Sequence, residues 1–154
     1  GLYQATIHAG EVTPSQQIWT SINDLHARRI GHGTSSIDDP ELQHLLKEEG
    51  IVLEQCITSN YQTGSWADEK NHPLGRLYRN GVPVTINSDD PTIQDTDLTE
   101  DYVKAVNYFD LTVADLETLN MIALDGAFIS EAERTDLKNR YRRRLEEVTG
   151  MAAS

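Results

Sequence analysis

The chain has 154 residues, 25 acidic against 13 basic, and a formal net charge of −12, a balance that repels the phosphates of nucleic acid and of anionic membranes. Hydrophobic residues at 38% and charged residues at 25% describe a folded chain rather than a disordered one, and no apolar run approaches the ~20 residues of a membrane span. One cysteine, Cys56, allows no internal disulfide, which fits a reducing, cytoplasmic setting.

Gly1-Leu2-Tyr3 runs straight into a strand pattern, with no initiator Met and no basic-then-apolar leader, and reads as a chain cut mid-fold. Apolar or β-branched runs predict strands at 4–9, 27–31, 51–56 and 82–87. Between the first two, 15–25 spaces Ile18, Ile22 and Leu25 as a helix. The next helix, 39–49, opens on Pro40, buries Leu42, Leu45 and Leu46, and stops at Gly50. A third follows His72-Pro73 through Leu74, Leu77 and Tyr78 to the Asn80-Gly81 turn. Three helices close the chain at about 99–109, 113–124 and 131–148. Ser130 with Glu133 forms a capping box for the last, and Thr112 with Asp115 a weaker one for the middle. The basic cluster Arg140, Arg142, Arg143 and Arg144 reads as cations opposing a helix dipole rather than as a phosphate site.

Alternating strands and helices predict an α/β fold with a parallel sheet, either open and doubly wound or closed as a barrel. Four strands are half of the eight that close a barrel. No glycine-rich phosphate loop follows any strand, which counts against the nucleotide-binding open sheet. Residues 1–150 read as one domain and 151–154 as a tail.

The reactive side chains gather at the strand ends. His8 and Glu11 follow the first strand, His32 ends the second, Ser59 and Asn60 follow the third, and Asp89 and Asp90 end the fourth. Parallel α/β folds place their sites on this face. Each residue also has an ordinary reading: His8 as a satisfied strand-end histidine, Glu11 as first-turn negative charge, and Asp89-Asp90-Pro91 as a turn. His32, between Gly31 and Gly33, divides evenly between function and structure. Two adjacent carboxylates repel unless a cation or donor separates their roles, and imidazole plus carboxylate suits zinc with an open position, or iron or another divalent ion.

Taken in order, His-Ala-Gly-Glu at 8–11, Arg-Ile-Gly-His-Gly at 29–33, Thr-Ser-Asn at 58–60, Gln62-Thr63-Gly64, His72-Pro73-Leu74 and Thr-Ile-Asn-Ser-Asp-Asp-Pro at 85–91 resemble the adenosine deaminases. The resemblance implies the C-terminal half of a (β/α)8 barrel plus C-terminal helices. It implies one Zn2+ per site held by His8 and Asp89, and Glu11 handing a proton to N1 of the purine. It also implies that His32 orients or deprotonates the attacking water and that Gly10 and Asp90 bind substrate, with Asp90 at N7. The reaction implied is hydrolytic deamination of adenosine, and of 2′-deoxyadenosine, to inosine and ammonia, with adenine or an AMP derivative as alternative substrates.

The family's His-x-His pair has no counterpart here, since His26, His44 and His72 stand alone. His44 is expected on a solvated helix face, His26 near a helix end, and His72 at a helix start. Two further histidine ligands are therefore expected from a missing N-terminal half, and the chain alone is expected to be inactive, to bind zinc weakly and to expose an unclosed sheet edge. A degenerate, non-catalytic half-barrel or binding paralogue is the competing reading, although every motif position within this span is kept.

Overall fold

A computed structural model describes residues 4–150; the mid-strand start at 1–3 and the tail at 151–154 lie outside the described residues. All four expected strands form, each shorter than its apolar run and β2 reaching one residue past it: β1 Thr6–Ala9, β2 Arg29–His32, β3 Val52–Gln55 and β4 Val84–Ile86. They make one sheet in the order β1-β2-β3-β4, every neighbour parallel. Parallel neighbours need crossovers, supplied by α1 (Gln16–Asn23), α2 (Pro40–Glu48), and α3 (Ile57–Gln62) with α4 (Leu74–Arg79).

The two sheet faces differ. The register aligns Ile7, Ile30, Leu53 and Val84, and the last three are completely buried together with Ile18, Leu42, Leu46, Leu74 and Leu77 from the helices. Strand alternation puts Thr6, His8, Arg29, Gly31, Val52, Glu54 and Thr85 on the opposite face. There Glu54 accepts from Thr6 Oγ1 at 2.8 Å and pairs with Arg29 Nε at 3.2 Å. A doubly wound sheet and a (β/α)8 barrel both cover the two faces of a parallel sheet, and site residues at the C-terminal strand ends suit either. Part of that face is covered: Val52 and Thr85 are buried, and Arg29 lies 4.0 Å from the centre of the Phe128 ring.

Four more helices follow β4: α5 Pro91–Gln94, α6 Leu98–Phe109, α7 Val113–Gly126 and α8 Glu131–Thr149. Both expected capping boxes are present, and the one at Thr112 is complete, with Asp115 Oδ2 accepting from the Thr112 backbone at 2.8 Å and its hydroxyl at 2.6 Å. Gly50 ends α2 at φ +62°. Three expectations are corrected. Leu25 is 59% exposed because α1 ends at Asn23, and Leu45 is only half-buried. The Arg140–Arg144 cluster lies before the last turn of α8, which holds no basic residue. Arg140 and Arg144 pair instead with Asp136 at 3.9 Å and Glu147 at 2.8 Å on the same helix. Among the described residues no helix is long and apolar enough to cross a membrane.

Candidate functional site

Three strand ends converge through unusual backbone. After β1, Gly10 takes φ +68°, and a Cβ there would lie 2.5 Å from Ile18 Cδ1 and 2.6 Å from Ser35 Oγ. Its carbonyl accepts from Thr34 Oγ1 at 2.9 Å and from the Ser35 backbone at 3.0 Å, and its N–H reaches Thr13 Oγ1 at 3.2 Å. This fixes the turn that delivers Glu11. His32 and Asp89, ending β2 and following β4, have φ +62° and +57°. Left-handed backbone outside glycine costs on the order of 1 kcal/mol and persists where surrounding structure enforces it, most often at functional sites.

His8, Gly31, His32, Glu54, Cys56, Asn87 and Asp89 line one cleft of about 280 Å3 at the mouth of the sheet. His8 pairs in register with Gly31, and a Cβ on Gly31 would fall 2.0 Å from His8 Cδ2. Only glycine lets that imidazole lie across the strand, with its ring 5.0 Å from that of His32. The Asp89 carboxylate is held by the Ser59 hydroxyl at 2.6 Å. Glu11 sits behind His32, with Oε2 3.4 Å from His32 Nε2, and Asp89 Oδ2 lies 3.9 Å from the same nitrogen. Asp90 is set apart: it caps α5, accepting from Ile93 N at 3.3 Å.

The hub of the site is Asn60, wholly buried on α3. Its Nδ2 lies 3.1 Å from His32 Nδ1, 3.2 Å from Glu11 Oε1 and 3.0 Å from Ser65 Oγ, while its Oδ1 faces His72 Nε2 at 3.0 Å. Thr63 and Ser65 also donate to Glu11 Oε1, at 3.2 and 3.4 Å. Short α3 is anchored from outside: buried Asp101 on α6 accepts from the Thr58 backbone at 3.1 Å and its hydroxyl at 2.8 Å, taking up an otherwise orphan first-turn donor. Burial raises the Asp101 pKa, and the Thr58 bonds work against that rise.

His72 is not isolated, as sequence spacing suggested, but 2% exposed and part of this network. It does open a helix as expected, since Nδ1 accepts from Leu74 N at 3.3 Å. Burial, reinforced by His32 and Arg76, lowers its pKa to about 3. His44 is exposed on α2, and His26 follows α1 at φ +56°. Sequence reasoning places Asn60 at a strand end without a partner and His72 only at a helix start. The available signal was their place in the Thr-Ser-Asn and His-Pro-Leu strings.

The donors fit a divalent ion. His8 and Asp89 present an imidazole and a carboxylate to one cleft, the ligand types borne by zinc, though two fall short of the three protein ligands of a catalytic zinc site. A second grouping overlaps it: one ligand atom from each of His32, Cys56 and Asp89 lie within 4.8 Å of one another. Burial, with the charge of Asp89 next, pushes the Cys56 thiol far up, which disfavours the thiolate form that binds metal.

The family model for adenosine deaminase matches residues 2–143. An adenosine deaminase from Serratia proteamaculans (strain 568) is 41% identical over 137 residues, 89% of this chain and 41% of the relative. An adenine deaminase from Arthrobacter aurescens superposes with a TM-score of 0.87 at 26% identity, over 93% of this chain and 44% of its own. A cog1816 amidohydrolase from Burkholderia ambifaria, solved with bound Zn, gives a TM-score of 0.87 at 25% identity over 96% and 42%. The chain thus spans about two fifths of each of these proteins.

Proposed function

The chain belongs to the adenosine deaminase family, and on that premise we propose that its strand-end cleft is one part of a zinc-dependent centre for hydrolytic deamination of an aminopurine nucleoside. Adenosine is the proposed substrate, with 2′-deoxyadenosine, and inosine and ammonia are the products. His8 and Asp89 are the proposed zinc ligands. Two further histidines come from a polypeptide segment outside these residues, so the chain alone binds zinc weakly and does not turn over. The setting proposed is the cytoplasm.

The observation that supports this reading is the convergence of His8, His32 and Asp89 on one cleft at the ends of parallel strands, with Glu11 tied to His32 at 3.4 Å. Zinc held there would acidify water toward neutral pH and so supply a nucleophile for C6. The residues of the chain do the rest. Asn60, Thr63 and Ser65 all point donors at Glu11 Oε1, so the proton handed to purine N1 is carried on Oε2. The Nε2 edge of His32, between Glu11 and Asp89, orients the attacking water. Gly10 and Asp90 bind the substrate, with Asp90 at N7.

Deamination followed by the change in purine ultraviolet absorbance tests the reading. The chain with zinc alone is expected to be inactive, and addition of a polypeptide carrying the barrel's other four strands and a His-x-His pair is expected to give inosine. Turnover at ordinary enzyme rates by the chain alone contradicts the division of ligands. Inactivity of the completed assembly on adenosine but activity on adenine or an AMP derivative corrects the substrate.

A further inference from the structure

The His72-Pro73-Leu74 string has no part in the chemistry just described, yet its histidine is among the most buried polar residues of the chain. The hydrogen bonds around it have one consistent solution. Leu74 N–H donates to His72 Nδ1, so in the neutral ring the proton sits on Nε2 and is donated to Asn60 at 3.0 Å. The atom of Asn60 that receives it must be the carbonyl Oδ1. Its amino group then faces the other way, with one hydrogen for His32 Nδ1 and one shared by Glu11 Oε1 and Ser65 Oγ. Turning the amide over would set a carbonyl against the Glu11 carboxylate and leave His72 with two acceptor nitrogens and no proton, which a neutral imidazole cannot have.

A ring nitrogen that accepts from an amide carries no proton, so His32 keeps its own on the other nitrogen. We infer that His72, acting through Asn60, is a positioning residue that locks the proton of His32 onto Nε2, between Glu11 and Asp89. His32 in this state is a hydrogen-bond donor toward its two carboxylate neighbours and not a vacant base at that atom. The orienting nitrogen is set by a residue that touches neither substrate nor metal. Burial excludes water from the relay: His72 is 2% exposed, His32 2% and Asn60 0%. Gln55 Nε2 additionally donates to the His32 carbonyl, which holds the backbone of the ring being oriented.

The functional meaning rests on the deaminase reading of the cleft, but the proton's location can be read without activity. Long-range proton–nitrogen NMR of the full chain with nitrogen-labelled histidine reports which ring nitrogen is protonated. The expected result is protonation of His32 and His72 at Nε2 alone, interconverting tautomers of His32 in His72→Leu, and restoration in His72→Gln, whose amide can donate to Asn60 Oδ1. A His32 proton on Nδ1 in the parent chain, or an unchanged His32 in His72→Leu, overturns the inference. Should the leucine variant not fold, the parent and His72→Gln decide: loss of the Nε2 proton in the glutamine variant also overturns it. In the completed, active assembly His72→Leu is expected to lower kcat about 10- to 100-fold with KM within about threefold. Expected spectra without any deamination would remove the functional reading and leave the relay standing.

Discussion

At the strand ends, His32 and His72 are each 2% exposed and Asn60 is wholly buried, whereas the 19 residues of α8 include no buried side chain among those described. The first region fixes its side chains by enclosure, left-handed backbone and shared hydrogen bonds. The second is held mostly along its first half: the Ser130–Glu133 capping box, Arg134, whose Nη1 reaches the Leu124 carbonyl at the end of α7 at 2.5 Å, and Tyr141, whose hydroxyl accepts from Asn120 at 3.1 Å. The contrast teaches where substitution is costly. A methyl group misplaced in the cleft has nowhere to go, and one misplaced on α8 faces water.

The largest break is expected from Gly31→Ala. The new Cβ would fall 2.0 Å from His8 Cδ2, so the imidazole must leave the cleft. Zinc affinity is expected to drop about 100-fold or more, at the upper end for a lost metal-ligand support, with the circular dichroism spectrum retained. Affinity within threefold of the parent would show that His8 does not need to lie over that strand.

His72 sharpens the comparison through pH. Burial lowers its folded pKa to about 3 from the usual histidine value of 6.5, so the folded chain favours the neutral ring. Below pH 6.5 protons go preferentially to the unfolded chain, so the stability contributed by the neutral ring is complete above that value and lost as pH falls toward 3. The limiting slope is about 1.4 kcal/mol per pH unit. Urea unfolding at pH 7 and pH 5 is expected to show the chain losing roughly 2 kcal/mol more than His72→Gln; equal losses would mean that the ring is not held neutral.

The smallest effect belongs to α8. Ser130→Ala removes a capping box on an exposed helix and is expected to cost about 1 kcal/mol of local stability. Faster amide exchange should be confined to the first turns of α8, with the His32 and His72 ring signals unmoved. A shift at those rings would show that the two regions are coupled.

Much of the architecture was legible because it is periodic. Strand centres, the long helices and both capping boxes follow from apolar spacing and from Ser or Thr placed three residues before an acid. Short α3 was not legible, since its cap position is Cys56, which makes no side-chain capping bond, and its first turn is satisfied by Asp101, 43 residues further on. The face carrying His8 and Asp89 could be read from the strand ends, and their roles only from resemblance. Asn60 and His72, 12 residues apart, meet because α3 and the turn before α4 fold against each other, which no spacing rule encodes. The choice between open sheet and barrel was not legible, because a parallel sheet is covered on both faces in either one.

The account turns on which side chains hold the ion. Zinc titration by calorimetry of the parent chain, His8→Ala, Asp89→Ala and Cys56→Ala tests this most directly. Loss of binding is expected in the histidine and aspartate variants, with parent-like affinity in the cysteine variant. Binding that survives His8→Ala and vanishes in Cys56→Ala would place the ion on His32, Cys56 and Asp89 instead, and would contradict the account.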